Sequence, residues 1–226
     1  MKPPSIFNLF KKILNSKSSN SKYIEKLISS GVKILDVKSV YIEDSVQISP
    51  GSIILPSTYI MGNTNIQPDC VIGPNTTISN SIICKGSKVL YSIISDSSIG
   101  ENNQIGPFTY IRESTSTFSD VEIGNFVEVK SSIIGKKSKS KHLAYIGDTD
   151  ISHNVNIGAG AVIANFDGKN KNKSSIEENV FLGSNSTIIS PVVISSNSII
   201  GGGAVVTKDV LSKEIVVGNP ARKLGK

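Results

Sequence analysis

Few side chains in this sequence of 226 residues are of the types that commonly do acid–base, nucleophilic or metal chemistry. The histidines are His142 and His153, and the cysteines are Cys70 and Cys84. An imidazole titrates near neutrality, so it can accept a proton from an attacking nucleophile and release it afterwards. The two cysteines form neither a disulfide framework nor a metal-spaced pair. We therefore expect packed thiols in a protein of a reducing, cytoplasmic compartment.

Basic residues are the other candidates for chemistry, since 24 of them face 18 acidic residues and give a formal charge of +6. Such an excess suits anionic small molecules as well as nucleic acid. No strip of basic residues interleaved with aromatics appears, which argues against nucleic-acid binding. The arginines are Arg112 and Arg222, so lysine is the default cation of this chain. Because a guanidinium can grip phosphate with two parallel hydrogen bonds, Arg112 indicates a position where geometry matters.

A repeat of six residues indicates the elements that must position these side chains. Helices would place apolar residues three and four apart, and half-buried strands would alternate them. Six residues suit one short strand and one turn, and Gly, Asn, Asp, Ser and Pro supply the turns. Three such units close a triangular coil of about 18 residues, and stacked coils bury one another's inner faces. Aliphatic residues hold this spacing in four runs: Ile42, Ile48, Ile54, Ile60, Ile66, Ile72 and Ile78; Ile99, Ile105 and Ile111; Ile151, Ile157 and Ile163; and Ile176, Leu182, Ile188, Ile194, Ile200 and Val206.

We predict an all-β parallel β-helix at residues 39–226, with roughly nine coils between residues 42 and 210. Residues 1–38 are predicted to be an N-terminal extension and linker that is partly helical. The chain's start lacks the apolar stretch and cleavage site of a signal peptide, and it lacks the arginines of an organellar transit peptide. A short amphipathic helix with a solvated tail is therefore expected there. No apolar run approaches the roughly 18 residues of a membrane span.

The period of six is lost around residues 112–122, 131–145 and 164–175, where polar residues accumulate. Loops that leave a rigid scaffold commonly carry function, so we expect the site near these breaks. The last break contains Lys169, Lys171 and Lys173. A solvated surface excursion explains that composition equally well.

The hexapeptide pattern alone is shared by acyltransferases, γ-class carbonic anhydrases and structural solenoids. A zinc hydratase needs a cluster of imidazoles that two histidines cannot supply. More specific segments lie between Ile99 and Asp209: IGPFTYIR at 105–112, IGNFVEVK at 123–130, HLAYIGD at 142–148, NVNIGAG at 154–160, NFDGKNK at 165–171 and VFLGSNSTI at 180–188. With these segments, the stretch resembles the acetyltransferase domain of GlmU, the bifunctional bacterial enzyme that makes UDP-N-acetylglucosamine. The upstream repeats, from about Leu27, look like the linker and first coils of the same domain.

This resemblance implies transfer of an acetyl group from acetyl-CoA to the amine of glucosamine 1-phosphate, in a homotrimer of left-handed coils that requires no metal. It assigns the general base to His142, a role worth about 10²- to 10⁴-fold in rate. It gives His153 no counterpart, so we expect a surface residue there. The substrate-binding positions are Arg112, Lys130 and Lys171 for phosphate, with Tyr145 and Asn156 for the sugar. The acetyl-CoA positions are Ala159, Asn165, Phe166, Ser184, Gly202 and Arg222, with Asn165 also matching a sugar contact and Lys208 as a further candidate for the CoA phosphates.

Some positions depart from the family pattern. Phe166 stands where tyrosine is usual, and Lys141 puts a cation beside His142, where it either contacts phosphate or obstructs the site. Two other interpretations stay open: an acetyltransferase acting on another, nucleotide-linked amino sugar, and a non-catalytic trimeric scaffold. The residues before the repeats hold no Gly-rich nucleotide-binding loop, so we expect this chain not to carry out uridylyl transfer itself.

Overall fold

The computed structural model describes residues 21–225. Within this range one short helix, α1 (Ser21–Ser29), precedes short strands that wind into a three-sided parallel β-helix. The helix buries Ile24 and Leu27 against the first coil, so it covers the open end of the core. The amphipathic helix and tail predicted for the start of the chain lie outside the described residues.

Successive strands lie on the three faces in turn, and each pairs in parallel with the strand one coil above it. Face 1 contains β1 (Lys33–Ile34), β4 (Ile53–Ile54), β7 (Val71–Ile72), β10 (Lys88–Val89), β13 (Gln104–Ile105), β20 (Asn156–Ile157), β23 (Phe181–Leu182), β26 (Ile199–Ile200) and β28 (Ile215–Val217). Face 2 contains β2 (Tyr41–Ile42), β5 (Tyr59–Met61), β8 (Thr77–Ser79), β11 (Ile93–Ser95), β14 (Tyr110–Arg112), β21 (Val162–Ala164), β24 (Thr187–Ile189) and β27 (Val205–Val206). Face 3 contains β3 (Gln47–Ile48), β6 (Asn65–Ile66), β9 (Ile82–Ile83), β12 (Ser98–Ile99), β15 (Ser116–Thr117), β17 (Ile133–Ile134), β19 (Thr149–Ile151), β22 (Ser174–Ile176) and β25 (Val193–Ile194).

Two longer strands, β16 (Glu122–Lys130) and β18 (Lys139–Gly147), run without interruption across the corner from face 1 to face 2. They turn the corner at Phe126 and Leu143, which have positive φ angles of 60° and 41°. The chain ends in β29 (Arg222–Lys223), which pairs antiparallel with β28. These two continuous strands form the centre of the predicted site.

The core is a set of aliphatic columns that run along the axis of the coil. On face 1, for example, Ile54 lies opposite Ile72, and both side chains are fully buried. Burying one such side chain contributes about 1.5–3 kcal/mol, so neighbouring coils stabilise each other. The prediction of an all-β, left-handed parallel β-helix with a short N-terminal helical segment is confirmed. The coil makes about ten turns, where nine were predicted, because strand pairing already begins at Lys33.

Two of the three predicted loops are wrong. Around 112–122 and 131–145 the chain stays in the coil. Gln104 lies opposite Glu122, which follows it by eighteen residues, and Glu122 lies opposite Lys139, which follows it by seventeen residues. The repeat looked broken because the polar residues Thr117 and Ser140 take inward positions. The segment 164–175 does leave the coil, as Asn156 meets its partner Phe181 only twenty-five residues later.

Both cysteines pack as expected. Cys70 is fully buried and donates its thiol hydrogen to the Cys84 carbonyl oxygen at 3.2 Å. Burial raises the pKa of the Cys70 thiol to about 11, so at neutral pH it is an unreactive thiol.

Candidate active site

The predicted residues line both edges of face 2. The edge between faces 1 and 2 is named here the imidazole edge, and it carries His142, Ala159, Ser184 and Gly202 on four successive coils. Each of these residues comes two positions after an inward-pointing residue of face 1. Those inward-pointing residues pair with one another from one coil to the next. Stacked strands lie about 4.8 Å apart, so the four residues form one continuous line. The edge between faces 2 and 3, named the cation edge, carries Arg112, Lys130, Asp148 and Asn165.

Asn125 orients the imidazole of His142. The register of β16 and β18 sets these residues opposite each other, and His142 Nδ1 lies 2.9 Å from Asn125 Oδ1. An amide oxygen only accepts hydrogen bonds, so Nδ1 carries the hydrogen and Nε2 keeps its lone pair for a proton. Asn125 was missed in the sequence. Its signal is its distance of seventeen residues from His142, which is one coil.

Beyond His142, the imidazole edge is almost bare backbone. The Ala159 N–H donates to no acceptor among the described residues. A Cβ on Gly158 would come within 2.6 Å of the Ser184 nitrogen, so only glycine fits there. A Cβ on Gly202 would lie 3.3 Å from the Ser184 carbonyl oxygen, a tight contact as well. The edge therefore offers exposed amides without bulky side chains in front of them.

Lys141 neither approaches the cation edge nor covers His142. Its ammonium pairs with Glu122, which also accepts from Lys139 at 2.8 Å. The hydrogen bonds from Lys139 and from Lys141 lower the pKa of Glu122. A cavity of about 250 Å³ opens beside this group and is lined by Gln104, Gly106, Glu122, Asn125, Lys141 and His142, among others.

On the cation edge, polar side chains gather around Gly147. A Cβ on Gly147 would come within 2.7 Å of the Tyr145 hydroxyl and 2.8 Å of the Asn165 amide nitrogen. Asn165 donates to Asp148 Oδ2, and Lys130 Nζ lies 3.2 Å from the same oxygen. The Lys130 side chain is only 4% exposed, which is unusual for a charged group. Glycine is thus required at 147 to leave room for these groups.

Carboxylates already neutralise the predicted phosphate-binding cations. Arg112 donates from Nε and Nη2 to Glu128 Oε1 at 2.9 and 2.7 Å, and from Nη1 to Glu113 Oε1 at 2.7 Å. Lys130 Nζ lies 3.5 Å from Glu113 Oε2, in addition to its contact with Asp148. Sequence reasoning missed all three carboxylates. Glu128 lies sixteen residues after Arg112 and Asp148 eighteen after Lys130, so coil-length spacing was again the available signal.

Lys171 joins this cluster from the excursion between β21 and β22. Its hydrogen bond with Lys130 and the like charge of that ammonium lower the pKa of Lys171. Burial opposes the charge of Lys130, but hydrogen bonds with Lys171 and Asp148 and nearby carboxylate charge outweigh it and raise its pKa. The three predicted phosphate-binding cations therefore lie together in one chain.

Asp167 holds the excursion in shape. Its carboxylate accepts from the N–H of Asn170 at 2.7 Å, from the Asn172 amide at 3.0 Å and from the N–H of Lys169 at 2.8 Å, and these bonds lower its pKa to about 2. Phe166 pairs across the excursion with Lys171 and leaves its ring 59% exposed.

Other predicted residues lie elsewhere. Asn156 is exposed on face 1, between Lys139 and Phe181, and therefore not with the cations. Arg222 and Lys208 share a cavity of about 240 Å³ at the last coil, together with Glu214 and Lys223. A wider concavity, about 750 Å³, lies on face 3 and contains His153, away from both edges of face 2.

The two halves of the predicted site are separated within one chain. His142 lies opposite Asn125, whereas Gly147, five residues along the same strand, lies opposite Lys130. At about 3.3 Å per residue the Cα atoms of 142 and 147 are at most about 17 Å apart, and the strand turns the corner at Leu143 between them. Residues 21–225 contain no group of three or more His, Cys, Asp or Glu that could hold a metal ion, and none of their helices could span a membrane.

Comparisons with known proteins agree with this fold. A family described as the GMPPB C-terminal domain matches residues 37–134, and one described as the hexapeptide repeat of succinyl-transferase matches residues 174–208. Among solved structures, a UDP-N-acetylglucosamine acyltransferase from Campylobacter jejuni superimposes with a TM-score of 0.59 at 17% identity, over 85% of this chain and 74% of that one. The corresponding enzyme from Francisella novicida gives 0.54 at 18% identity, over 85% and 70%. At such identities the likeness concerns the fold.

Closer relatives are found among curated sequences. The bifunctional protein GlmU of Clostridioides difficile (strain 630) is 46% identical over 186 residues, or 82% of this chain and 40% of that protein. GlmU of Thermosipho africanus is 45% identical over 202 residues, or 89% and 45%. The chain thus spans about two fifths of the length of the curated relatives it matches. The chain is similar to the C-terminal acetyltransferase domain of the GlmU proteins, as the sequence resemblance predicted.

Proposed function

We propose that this protein transfers an acetyl group from acetyl-CoA to the amine of glucosamine 1-phosphate. The observation that carries the proposal is an imidazole with a free Nε2 on one edge of face 2 and three clustered cations on the other. An amine acceptor needs a base, and a sugar phosphate needs fixed positive charge. A scaffold without turnover would need neither.

His142 is the general base of the proposed reaction. Its Nε2 takes a proton from the amine as the nitrogen attacks the thioester carbon, while Asn125 holds Nδ1–H and hence the tautomer. The tetrahedral intermediate carries an oxyanion, and the unpaired Ala159 N–H on the next coil is the donor for it. When the C–S bond breaks, the imidazolium returns its proton to the departing thiolate, so the products are the N-acetyl sugar and free CoA.

The cation edge anchors the acceptor in this mechanism. Arg112, Lys130 and Lys171 bind the phosphate, and the Tyr145 hydroxyl and Asn165 amide contact the sugar above Gly147. Each group sits on a paired strand or in a hydrogen-bonded excursion. Rigid anchoring of this kind fixes the amine near the thioester, which is a major part of catalysis in two-substrate reactions.

Acetyl-CoA binds along the imidazole edge. Its acyl end lies at His142 and Ala159, and the pantetheine arm follows the bare backbone past Ser184 and Gly202. Lys208 and Arg222, in the cavity at the last coil, then meet the phosphates of CoA. The small residues along this edge support the assignment, since an extended carrier needs a smooth surface.

A homotrimer completes the site. Because His142 and Lys130 stand on opposite edges of face 2, the acceptor is placed between the imidazole edge of one copy and the cation edge of its neighbour. A head-to-tail contact of this kind closes after three copies when each turns by a third of a circle.

Thiol release from acetyl-CoA tests the proposed function. Purified protein is expected to release CoA with glucosamine 1-phosphate, and to do so at least tenfold less efficiently with glucosamine or UDP-glucosamine, because these lack a free sugar phosphate. A preference for UDP-glucosamine would support the nucleotide-linked alternative. Absence of release with every amino sugar would contradict the proposal.

A further inference from the structure

On the cation edge, the side-chain nitrogens of Arg112 and Lys130 already contact carboxylates. All three donor atoms of Arg112 that point into the cluster bond to Glu128 or Glu113. Lys130 Nζ lies between Asp148 and Glu113. A phosphate can therefore bridge Arg112 and Lys130 only if a carboxylate leaves.

Glu113 differs from the other two carboxylates in how it is held. Its Oε1 accepts from Arg112 and its Oε2 contacts Lys130, so one carboxylate bridges two cations with its two oxygens. Two oxygens of a phosphate would span the same pair of cations in the same way. The bridging carboxylate thus has the geometry of a bound anion.

Glu113 is also the carboxylate that can move. It lies in the turn after β14, at a residue with a φ of 51°, outside the paired strands. Glu128, in contrast, stands inside β16, paired with strands on both sides, and Asp148 also binds Asn165. Rotation of one side chain takes Glu113 into solvent without breaking a backbone hydrogen bond.

We propose that Glu113 is a specificity-determining residue, an internal anion that occupies the phosphate subsite and must be displaced by the acceptor. This inference rests on the proposed function of the cation edge. A phosphate dianion outcompetes a single carboxylate, whereas a neutral amino sugar leaves Glu113 in place and finds its subsite filled. Selection against unphosphorylated acceptors then comes from the turn after β14 as well as from the cations.

Titration with inorganic phosphate tests the inference without any turnover. Glu113→Gln keeps the shape and removes the charge, so it is expected to lower the Kd for inorganic phosphate by about 2- to 5-fold, the upper part of the range of one partly exposed ion pair. Glu101→Gln is the matched control, since it removes one exposed carboxylate elsewhere and should leave the Kd unchanged. An unchanged or raised Kd in Glu113→Gln would overturn the inference.

Two additions keep the test decisive. Glu113→Asp, which is too short to bridge both cations, is expected to bind phosphate more tightly than the wild type but less tightly than Glu113→Gln. It replaces that variant if thermal unfolding shows that Glu113→Gln is not folded, and a Kd no lower than the wild-type value then overturns the inference. If the wild type acetylates no sugar phosphate while Glu113→Gln binds phosphate more tightly, the proposed function fails, and Glu113 still occupies an anion-binding subsite. If glucosamine 1-phosphate is acetylated and Glu113→Gln does not lower the Kd for inorganic phosphate, the inference alone fails.

Discussion

The two edges of face 2 are built in opposite ways, although the same strands form both. Beyond the oriented imidazole of His142, the imidazole edge consists of backbone amides and small residues. The cation edge packs three cations against three carboxylates, with Lys130 almost completely buried. One edge thus suits the extended, uncharged pantetheine arm of a carrier and the other a compact anion.

This contrast indicates a division of labour within the fold. A stack of coils places chemically different surfaces along parallel lines at a fixed separation, and it cannot bend to bring them together. In the proposed trimer, each chain therefore supplies its imidazole edge to one site and its cation edge to another.

Mixing of two variants, each impaired on a different edge, gives the largest expected effect and tests the comparison directly. His142→Ala is expected to lower kcat by about 10²- to 10⁴-fold through loss of the base, with phosphate binding retained. Arg112→Ala removes the guanidinium on the cation edge and should raise KM for glucosamine 1-phosphate. Trimers refolded from an equal mixture should regain about a quarter of wild-type activity, since each site takes one edge from each of two copies. Thiol release before and after mixing measures this, and a mixture no more active than its components would show that each site belongs to one chain.

Gly147→Ala should break the cation edge alone. The added Cβ would come within 2.7 Å of the Tyr145 hydroxyl and 2.8 Å of the Asn165 amide, so both sugar contacts must shift. We expect KM for glucosamine 1-phosphate to rise by about tenfold, in line with the cost of a small misplacement in a binding site, with KM for acetyl-CoA unchanged. Gly225→Ala is the control, since a Cβ there meets nothing within 4 Å. Equal changes in both KM values would mean that the two edges are not independent.

The smallest expected effect is the pH dependence of phosphate binding that comes from the protonation of Lys171. The hydrogen bond with Lys130 and the charge of that ammonium lower the pKa of Lys171, so as pH rises Lys171 loses its proton earlier than an ordinary lysine and phosphate affinity falls. Lys171→Arg stays charged, and the ratio of wild-type to variant Kd for inorganic phosphate should grow several-fold between about pH 7 and 10. The ionisation of phosphate itself cancels in this ratio. Lys169→Arg, in the same excursion, should give a flat ratio, and a flat ratio for Lys171→Arg would contradict the assignment.

The sequence predicted the coil because aliphatic residues mark most inward positions. It misled where Thr117 and Ser140 take those positions, since a polar residue in an inner column looks like a break in the period. The cations and His142 came from the family resemblance. Their partners Asn125, Glu113, Glu128 and Asp148 were missed, because contacts between coils depend on coil lengths that vary from sixteen to twenty-five residues. Only the pairing of strands shows which residue lies above which.

The excursion between β21 and β22 has a consequence for how proteins with this fold can vary in sequence. Strand register resumes on all three faces after it, with Asn156 opposite Phe181, Val162 opposite Thr187 and Thr149 opposite Ser174. The additional residues are therefore accommodated outside the stack, at no expense to the ladders above and below. Insertions and replacements at this corner can alter the surface that an acceptor contacts, while the imidazole, in the preceding coil, stays in place. The same rigid coil can therefore carry different recognition loops.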